Sequence, residues 1–480
     1  MLVYVLSLIN LVFLGGSIIF FMDSLREQEP RAPRFGLAGA AFHLALGLAV
    51  IFLPWSRAPA GIILGLMALA VLLFLVPGQT QGRSLKGARG YLVGEMERPD
   101  ERETVFARNR SLKPGSDRYQ AYYSSHPEQE EDDAKRRDKG GAVGRPGAID
   151  NGYRPNTSLA RANNLLPLFL GPHGSARPDP GSSPAELDPL KASEIVKGYA
   201  RHIGADLVGI CRVDSRHAYS HQGEIFYDNW DDWGRELAEP LPYAIVLATA
   251  MDPEPIGAAP HTPTSVETSF HYAKGAFLTT LLAQWLAAMG YRAEAEHHRR
   301  YSLLMVPLAV EAGLGELGRQ GYLIADRFGA RVRLFAVTTD MPLVPDKPVD
   351  LGAEEFCEVC LKCAEACPSD SIPMGKRTIS NGIERWKLDA ESCFDYWGKV
   401  GTGCSICLAI CPFSRPDHSL HRLVRWTLKR SPLARKVLPH LDNVVYGRRW
   451  KPRRVGPWLD YHDSNHGAGQ RPWSGQNGGE

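Results

Sequence analysis

The sequence lacks any imbalance of charge: 55 Lys and Arg stand against 53 Asp and Glu, a net charge of +2. It therefore offers no obvious basic stripe, and no nucleic-acid partner is expected. It also lacks basic residues ahead of its first apolar run and a twin-arginine pair near the N-terminus, which argues against a cleaved export signal. Cysteine is scarce, nine in 480 residues, but it is not scattered. Eight of the nine lie between Cys357 and Cys411.

Those eight read Cys357-x-x-Cys360-x-x-Cys363-x-x-x-Cys367-Pro368, then Cys393, then Cys404-x-x-Cys407-x-x-x-Cys411-Pro412. Two ferredoxin-type runs, each closing on Cys-Pro, suit two 4Fe–4S clusters, because a short turn presents three thiolates to one cube while the fourth reaches across to the other. The expected partition gives one cluster to Cys357, Cys360, Cys363 and Cys411. The other takes Cys393, Cys404, Cys407 and Cys367, with Cys393 standing in for the first thiolate of the second run across an inserted loop. Structural zinc would want pairs of Cys-x-x-Cys and leaves the third cysteine of the first run and both Cys-Pro endings unexplained. Disulfides would imply an exported chain, and these are metal-ligand spacings. Cys211, in the strand-like stretch 205–211, is left over and reads as a buried small hydrophobe.

Three uncharged or nearly uncharged apolar runs, Met1 to Met22, Gly36 to Trp55 and Ala60 to Pro77, each approach the length of a membrane-crossing helix. Three transmembrane helices are expected, with the membrane as a partner. Arg26, Arg31 and Arg34 follow the first span and Arg83, Lys86 and Arg89 follow the third, on opposite sides, so the positive-inside rule gives no orientation. Iron–sulfur ligation is easiest where thiols stay reduced. The expectation is therefore an inner-membrane protein whose large C-terminal part faces the cytoplasm.

The chain divides into a membrane anchor (1–78), an extended polar linker and wrapping segment (79–188), an α/β domain (189–350), a ferredoxin-like domain with two clusters (351–418) and a C-terminal extension (419–480). The linker is rich in Gly, Pro, Ser and charge and should bury little apolar surface. Its charge runs, Glu128 to Asp133 and Lys135 to Arg137, read as solvated faces without a site. Periodicity predicts helices over 192–202 and 270–289 and strands over 206–213, 243–249 and 332–338. Strands alternating with helices suggest an α/β or α+β sandwich. Trp230 and Trp233 read as packing residues.

Gly313-Leu-Gly315-Glu-Leu-Gly318 matches a dinucleotide fingerprint, but the helix-like 305–312 precedes it where a strand is required. It reads either as a tight glycine turn approached by a flat cofactor or as a plain turn.

From roughly Glu97 onward the chain resembles the corrinoid-dependent reductive dehalogenases. The residues that carry the resemblance are Ala205-Asp-Leu-Val-Gly-Ile210, Tyr272 ahead of Gly290-Tyr291, Val306-Pro-Leu-Ala309 running into Ala312-Gly-Leu-Gly-Glu316, Thr339-Asp-Met-Pro-Leu343, Asp346-Lys-Pro348, and the cysteine runs with Trp386 and Trp397. The three spans resemble the small anchor protein such enzymes usually keep as a separate chain. The resemblance implies a nitroreductase-like core holding a base-off cobalamin without a protein histidine ligand. An Asp-x-His-x-x-Gly motif is absent: His462 is followed by Asp463, Ser464 and Asn465.

It further implies electrons passing through the clusters to cobalt, a halogenated organic substrate, and Tyr272 as proton donor. An unperturbed phenol, pKa about 10, needs a neighbouring cation to lose its proton readily near neutrality. Arg331 and Arg333, at alternate strand positions, both suit that role and should face the same side. By counting, His298 takes the place of a polar asparagine contact, and Gly313, Gly315 and Gly318 are candidate cofactor neighbours. The implied function is a membrane-anchored reductive dehalogenase fed by quinol, ferredoxin or a flavoprotein. The alternatives are an epoxyqueuosine reductase-like enzyme and a membrane-bound ferredoxin-type electron carrier.

Overall fold

The computed structural model describes residues 1–78, 82–139 and 154–461. Residues 462–480 of the C-terminal extension, His462 among them, lie outside the described residues. The chain forms two compact units whose boundaries cut across the expected domains: the stretch 351–418 is shared between them.

The first unit contains three helices apolar enough to cross a membrane, Leu2–Arg26, Ala32–Phe52 and Pro54–Leu75, with mean hydropathies of 2.3, 2.0 and 2.5. Leu6, Val50, Ala60 and Leu64 form their shared core. Asn10 and His43 satisfy each other across it: Asn10 Nδ2 donates to the His43 carbonyl at 2.7 Å, and the two side chains bond at 2.9 Å. Gly36 lets two of these helices touch, since a Cβ there would sit 2.7 Å from the Phe21 backbone.

Helices Ser419–Arg430 and Pro432–Tyr446 belong to the same unit. Leu423 and Trp426 of the first are exposed, while His421 Nε2 bonds the buried Glu27 carboxylate at 2.9 Å. Helix Ala353–Cys360 carries the buried Cys357 and Cys360. It packs on Pro432–Tyr446, whose fully buried Arg435 reaches Glu355 at 3.2 Å and Asp350 at 3.3 Å.

The second unit is built on a five-stranded sheet in the order Ser175–Ala176, Ala293–Glu296, Val332–Thr339, Tyr243–Ala250, Leu207–Arg212. Every pairing is antiparallel, so the architecture is an α+β sandwich rather than a parallel α/β sheet. The run Tyr243–Ala250 is apolar almost throughout because both faces are covered. Ile245 and Leu247 join one core with Leu278, Leu282, Leu286 and Phe335. Ala244, Val246 and Ala248 join the other with Leu308 and Ala309 of helix Met305–Glu311. Gly275 brings helix Thr262–Ala288 onto the sheet: a Cβ there would meet the Phe335 ring at 2.2 Å.

Two expectations are corrected. The helix expected from 270 begins at Thr262, since Pro263 suits a first turn and the polar Thr/Ser face that hid it has a use described below. The stretch expected as an extended linker is largely helical in its described residues: Val105–Ser111, Asp117–Ser125, Pro127–Lys139 and Arg154–Leu170. Ion pairing supplies what apolar burial does not. Asp133, 0% exposed, accepts from Arg108 Nε at 2.7 Å, Arg136 Nη1 at 2.8 Å and Tyr123 Oη at 2.9 Å. Arg136 also bonds Asp395 at 3.1 Å. The charge run is thus partly an interior network.

Candidate active site

A cavity of about 620 Å³ lies inside the second unit. Four thiols line one end: Cys367, Cys393, Cys404 and Cys407. Cys393 rides on helix Ala390–Val400, capped at its N-terminus by the Asp389 carboxylate. Cys404 and Ser405 adopt left-handed φ of 55° and 66°, turning the chain so that Cys407 follows on a short helix, Ile406–Ala409. Burial, reinforced by the neighbouring thiols, pushes Cys393 up to about 11, Cys404 up to about 12 and Cys407 well above the ordinary thiol range. Among the described residues no three His, Cys, Asp or Glu side chains converge on a single-ion site.

The other walls come from distant stretches. Helix Thr262–Ala288 contributes Ser265, Thr268, Ser269 and Tyr272, spaced i, i+3, i+4, i+7 and hence on one face. His298 and Arg299 occupy the tip of a tight turn closed by His297 N to Arg300 O at 2.6 Å and Arg300 N to His297 O at 2.8 Å. His298 stacks on Tyr272 with ring centroids 4.0 Å apart and planes 22° apart. The Arg333 guanidinium stands 5.2 Å from the centroid of the same phenol ring and donates to Thr268 Oγ1 at 3.0 Å. The Tyr272 hydroxyl makes no hydrogen bond to the protein among the described residues, which leaves it free to donate into the cavity. Burial and the surrounding guanidiniums of Arg299, Arg110 and Arg333 hold His298 well below its ordinary pKa, so the imidazole is neutral.

Of the residues singled out from sequence, Tyr272, His298, Arg333 and four cysteines meet around this one cavity. Arg331 does not join them. Its guanidinium is buried elsewhere, donating to the carbonyls of Ser414 and Met251. Gly313, Gly315 and Gly318 also lie off the cavity. Gly313 has φ +71° at the end of helix Met305–Glu311, and a Cβ there would meet Lys347 O at 2.4 Å. At Gly315 it would meet Ile324 O at 2.1 Å across a hairpin, and at Gly318 the Ile324 side chain at 2.9 Å. Backbone crowding explains Gly313 and Gly315, and side-chain packing explains Gly318. Cys357 and Cys360 are buried in the first unit and Cys363 and Cys411 in the second. Cys211 is buried within the sheet's apolar packing.

Sequence reasoning missed Asn109, Arg110, Asn164, Glu224, Arg299 and Tyr322, all on the cavity wall. The readable signal was the Ser/Thr/Ser/Tyr stripe ahead of an apolar helix.

The lining suits a large, flat, amide-bearing cofactor and an iron–sulfur cluster. Tyr272 and four thiols line the same open cavity, and Asn109 Nδ2, Asn164 Oδ1 and Ser265 Oγ on its wall are buried without partners.

Residues 356–414 match the family described as a 4Fe-4S dicluster domain. The chain is 32% identical over 299 residues to the tetrachloroethene reductive dehalogenase of Sulfurospirillum multivorans, covering 55% of this chain and 59% of the relative. It is 33% identical over 278 residues to that of Desulfitobacterium hafniense, covering 49% and 50%. It thus spans half to three-fifths of those relatives' length. The epoxyqueuosine reductase of Aliivibrio fischeri is 29% identical over 259 residues, 46% of this chain and 66% of that one. Among solved structures, the catabolic reductive dehalogenase NpRdhA superposes with a TM-score of 0.60 at 23% identity, covering 75% of this chain and 48% of that chain. A second, described as B12-dependent, gives 0.57 at 22%, covering 75% and 49%. At these identities the likeness shows a shared fold.

Proposed function

We propose that this chain is a membrane-anchored reductive dehalogenase, replacing halogen by hydrogen in an organic substrate: R–X plus two electrons and a proton gives R–H and X⁻. The observation that carries this reading is one cavity lined both by four thiols and by Tyr272, His298 and Arg333.

Cys367, Cys393, Cys404 and Cys407 would hold the cluster nearer the cavity; Cys357, Cys360, Cys363 and Cys411 are assigned to the second cluster by ligand spacing. A base-off corrinoid bound in a nitroreductase-like core, when present, supplies the low-potential cobalt at which a carbon–halogen bond is reduced. Asn109, Asn164 and Ser265 offer it hydrogen-bonding groups. Tyr272 Oη, free of protein partners, donates the proton to the carbon that loses halide. The Arg333 guanidinium faces the negative charge the phenol then carries. His298, neutral and stacked on the phenol ring, holds it in place and presents a polar edge to the substrate. The electron donor is a quinol, ferredoxin or flavoprotein, and the catalytic part faces the cytoplasm, where thiols stay reduced.

Two measurements on the purified full chain test this reading. Reconstituted protein should contain cobalt and iron at about one to eight, as one corrinoid and two cubes require. It should release halide from halogenated organics under reducing conditions and leave epoxyqueuosine-containing RNA unchanged; turnover of that RNA without halide release would replace the proposal with the alternative relative's chemistry.

A further inference from the structure

Three guanidiniums line the cavity, Arg110, Arg299 and Arg333, against a single carboxylate, Glu224. Glu224 is already committed. It accepts from Arg110 Nε at 2.8 Å and from the Tyr301 hydroxyl. Arg333 stands over Tyr272, where a phenolate forms during turnover. Arg299 has no such partner. Among the described residues its guanidinium pairs with no carboxylate, and Nε and Nη1 are buried without any acceptor. Its one neutral contact is the Phe226 ring, 5.0 Å from Cζ, which Arg110 approaches to 4.7 Å. A guanidinium taken out of water beside a second one, with its neighbouring carboxylate Glu224 already paired to Arg110, is disfavoured unless something negative completes the site.

Arg299 also follows His298, whose ring lies on the phenol, so an anion held there would sit beside the proton donor.

We propose that Arg299 recognises an anionic substituent, a carboxylate or phenolate, so that the substrates are halogenated organic acids rather than neutral haloalkenes. The assignment rests on the dehalogenase reading and deepens it. It also sets this chain apart from the relatives named for tetrachloroethene, an uncharged molecule. The same anion-binding chemistry could instead be met by the phosphodiester of a corrinoid's nucleotide loop, and the experiment separates the two.

The holoenzyme is given 3-bromobenzoate and its neutral isostere 3-bromobenzamide, and bromide release and equilibrium binding of benzoate and benzamide are measured. Wild-type protein should favour the acid by about 30-fold or more, chiefly in KM, as expected for a desolvated charge pair. Arg299→Gln should erase that preference by raising KM for the acid at least ten-fold more than for the amide, and Arg299→Lys should restore part of it. Cobalt retained by Arg299→Gln should be equal after reconstitution with cobalamin and with cobinamide, which lacks the phosphodiester-linked nucleotide. Equal handling of acid and amide by wild type overturns the proposal, as does cobalt loss confined to cobalamin. Selective benzoate binding without halide release from either compound would leave Arg299 as an anion site and fault the dehalogenase reading instead.

Discussion

Tyr272→Phe removes one oxygen and little else. The ring keeps its stack on His298 at 4.0 Å and its guanidinium neighbour at 5.2 Å. Its hydroxyl makes no protein hydrogen bond among the described residues, so no buried partner is orphaned and folding stability should change by less than about 1 kcal/mol. What disappears is the proton. Loss of a positioned general acid typically costs 10²- to 10⁴-fold, so kcat should fall by roughly that factor, about 3 to 5 kcal/mol on the barrier. KM should move little, because the phenol is assigned to the transition state rather than to ground-state binding. The assay is halide release by reconstituted full-length protein with a strong reductant, alongside cobalt and iron content and a thermal melt. Normal metal content with a rate depressed by that factor supports the role. A full rate would refute it, and a low rate with lost cobalt would make Tyr272 a packing residue.

Three further predictions follow from the same geometry. Arg333→Gln should lower kcat with a melting temperature near wild type, whereas Arg331→Gln, stripping donors from the Ser414 and Met251 carbonyls, should lower the melting temperature first; the reverse pattern would exchange their roles. Asp133→Asn removes the buried anion at the centre of this network while Glu391 still pairs with Arg108 and Arg136 and Asp395 with Arg136, so it should cost about 1 to 3 kcal/mol in unfolding experiments; a loss within 0.5 kcal/mol would mean the buried carboxylate is dispensable. Burial pushes Glu296 up to about 7 even though Ser302 donates to it twice. Because the folded state holds this proton more tightly than the unfolded one, its stabilisation is full below about pH 4.5 and is lost as pH rises to about 7, on the order of 3 kcal/mol. Glu296→Gln should flatten that part of the pH–stability curve, and an unchanged curve would show that Glu296 ionises normally.

By itself the sequence determined what is local. Three apolar runs are each long enough to satisfy their own backbone as membrane helices, and no distant residue is needed to recognise them. Cysteine spacing is likewise a property of short turns, so the eight candidate ligands could be read directly. Strand and helix periodicity found the central sheet, because both faces of Tyr243–Ala250 are buried and leave an apolar run. Tertiary structure decided the rest. Antiparallel pairing depends on chain direction, which periodicity does not carry. Arg331 and Arg333, which alternation alone would place together, are separated by their partners: the carbonyls of Ser414 and Met251 take the first and Thr268 takes the second. The polar stretches 105–139 and 154–164 read as extended linker because the ion pairs that hold the first of them meet across distances that no local pattern encodes, Asp133 with Arg108 above all. Arg299 acquires its meaning only when Phe226, Glu224 and Arg110 are brought around it, since the cost of a buried charge depends on everything that surrounds it.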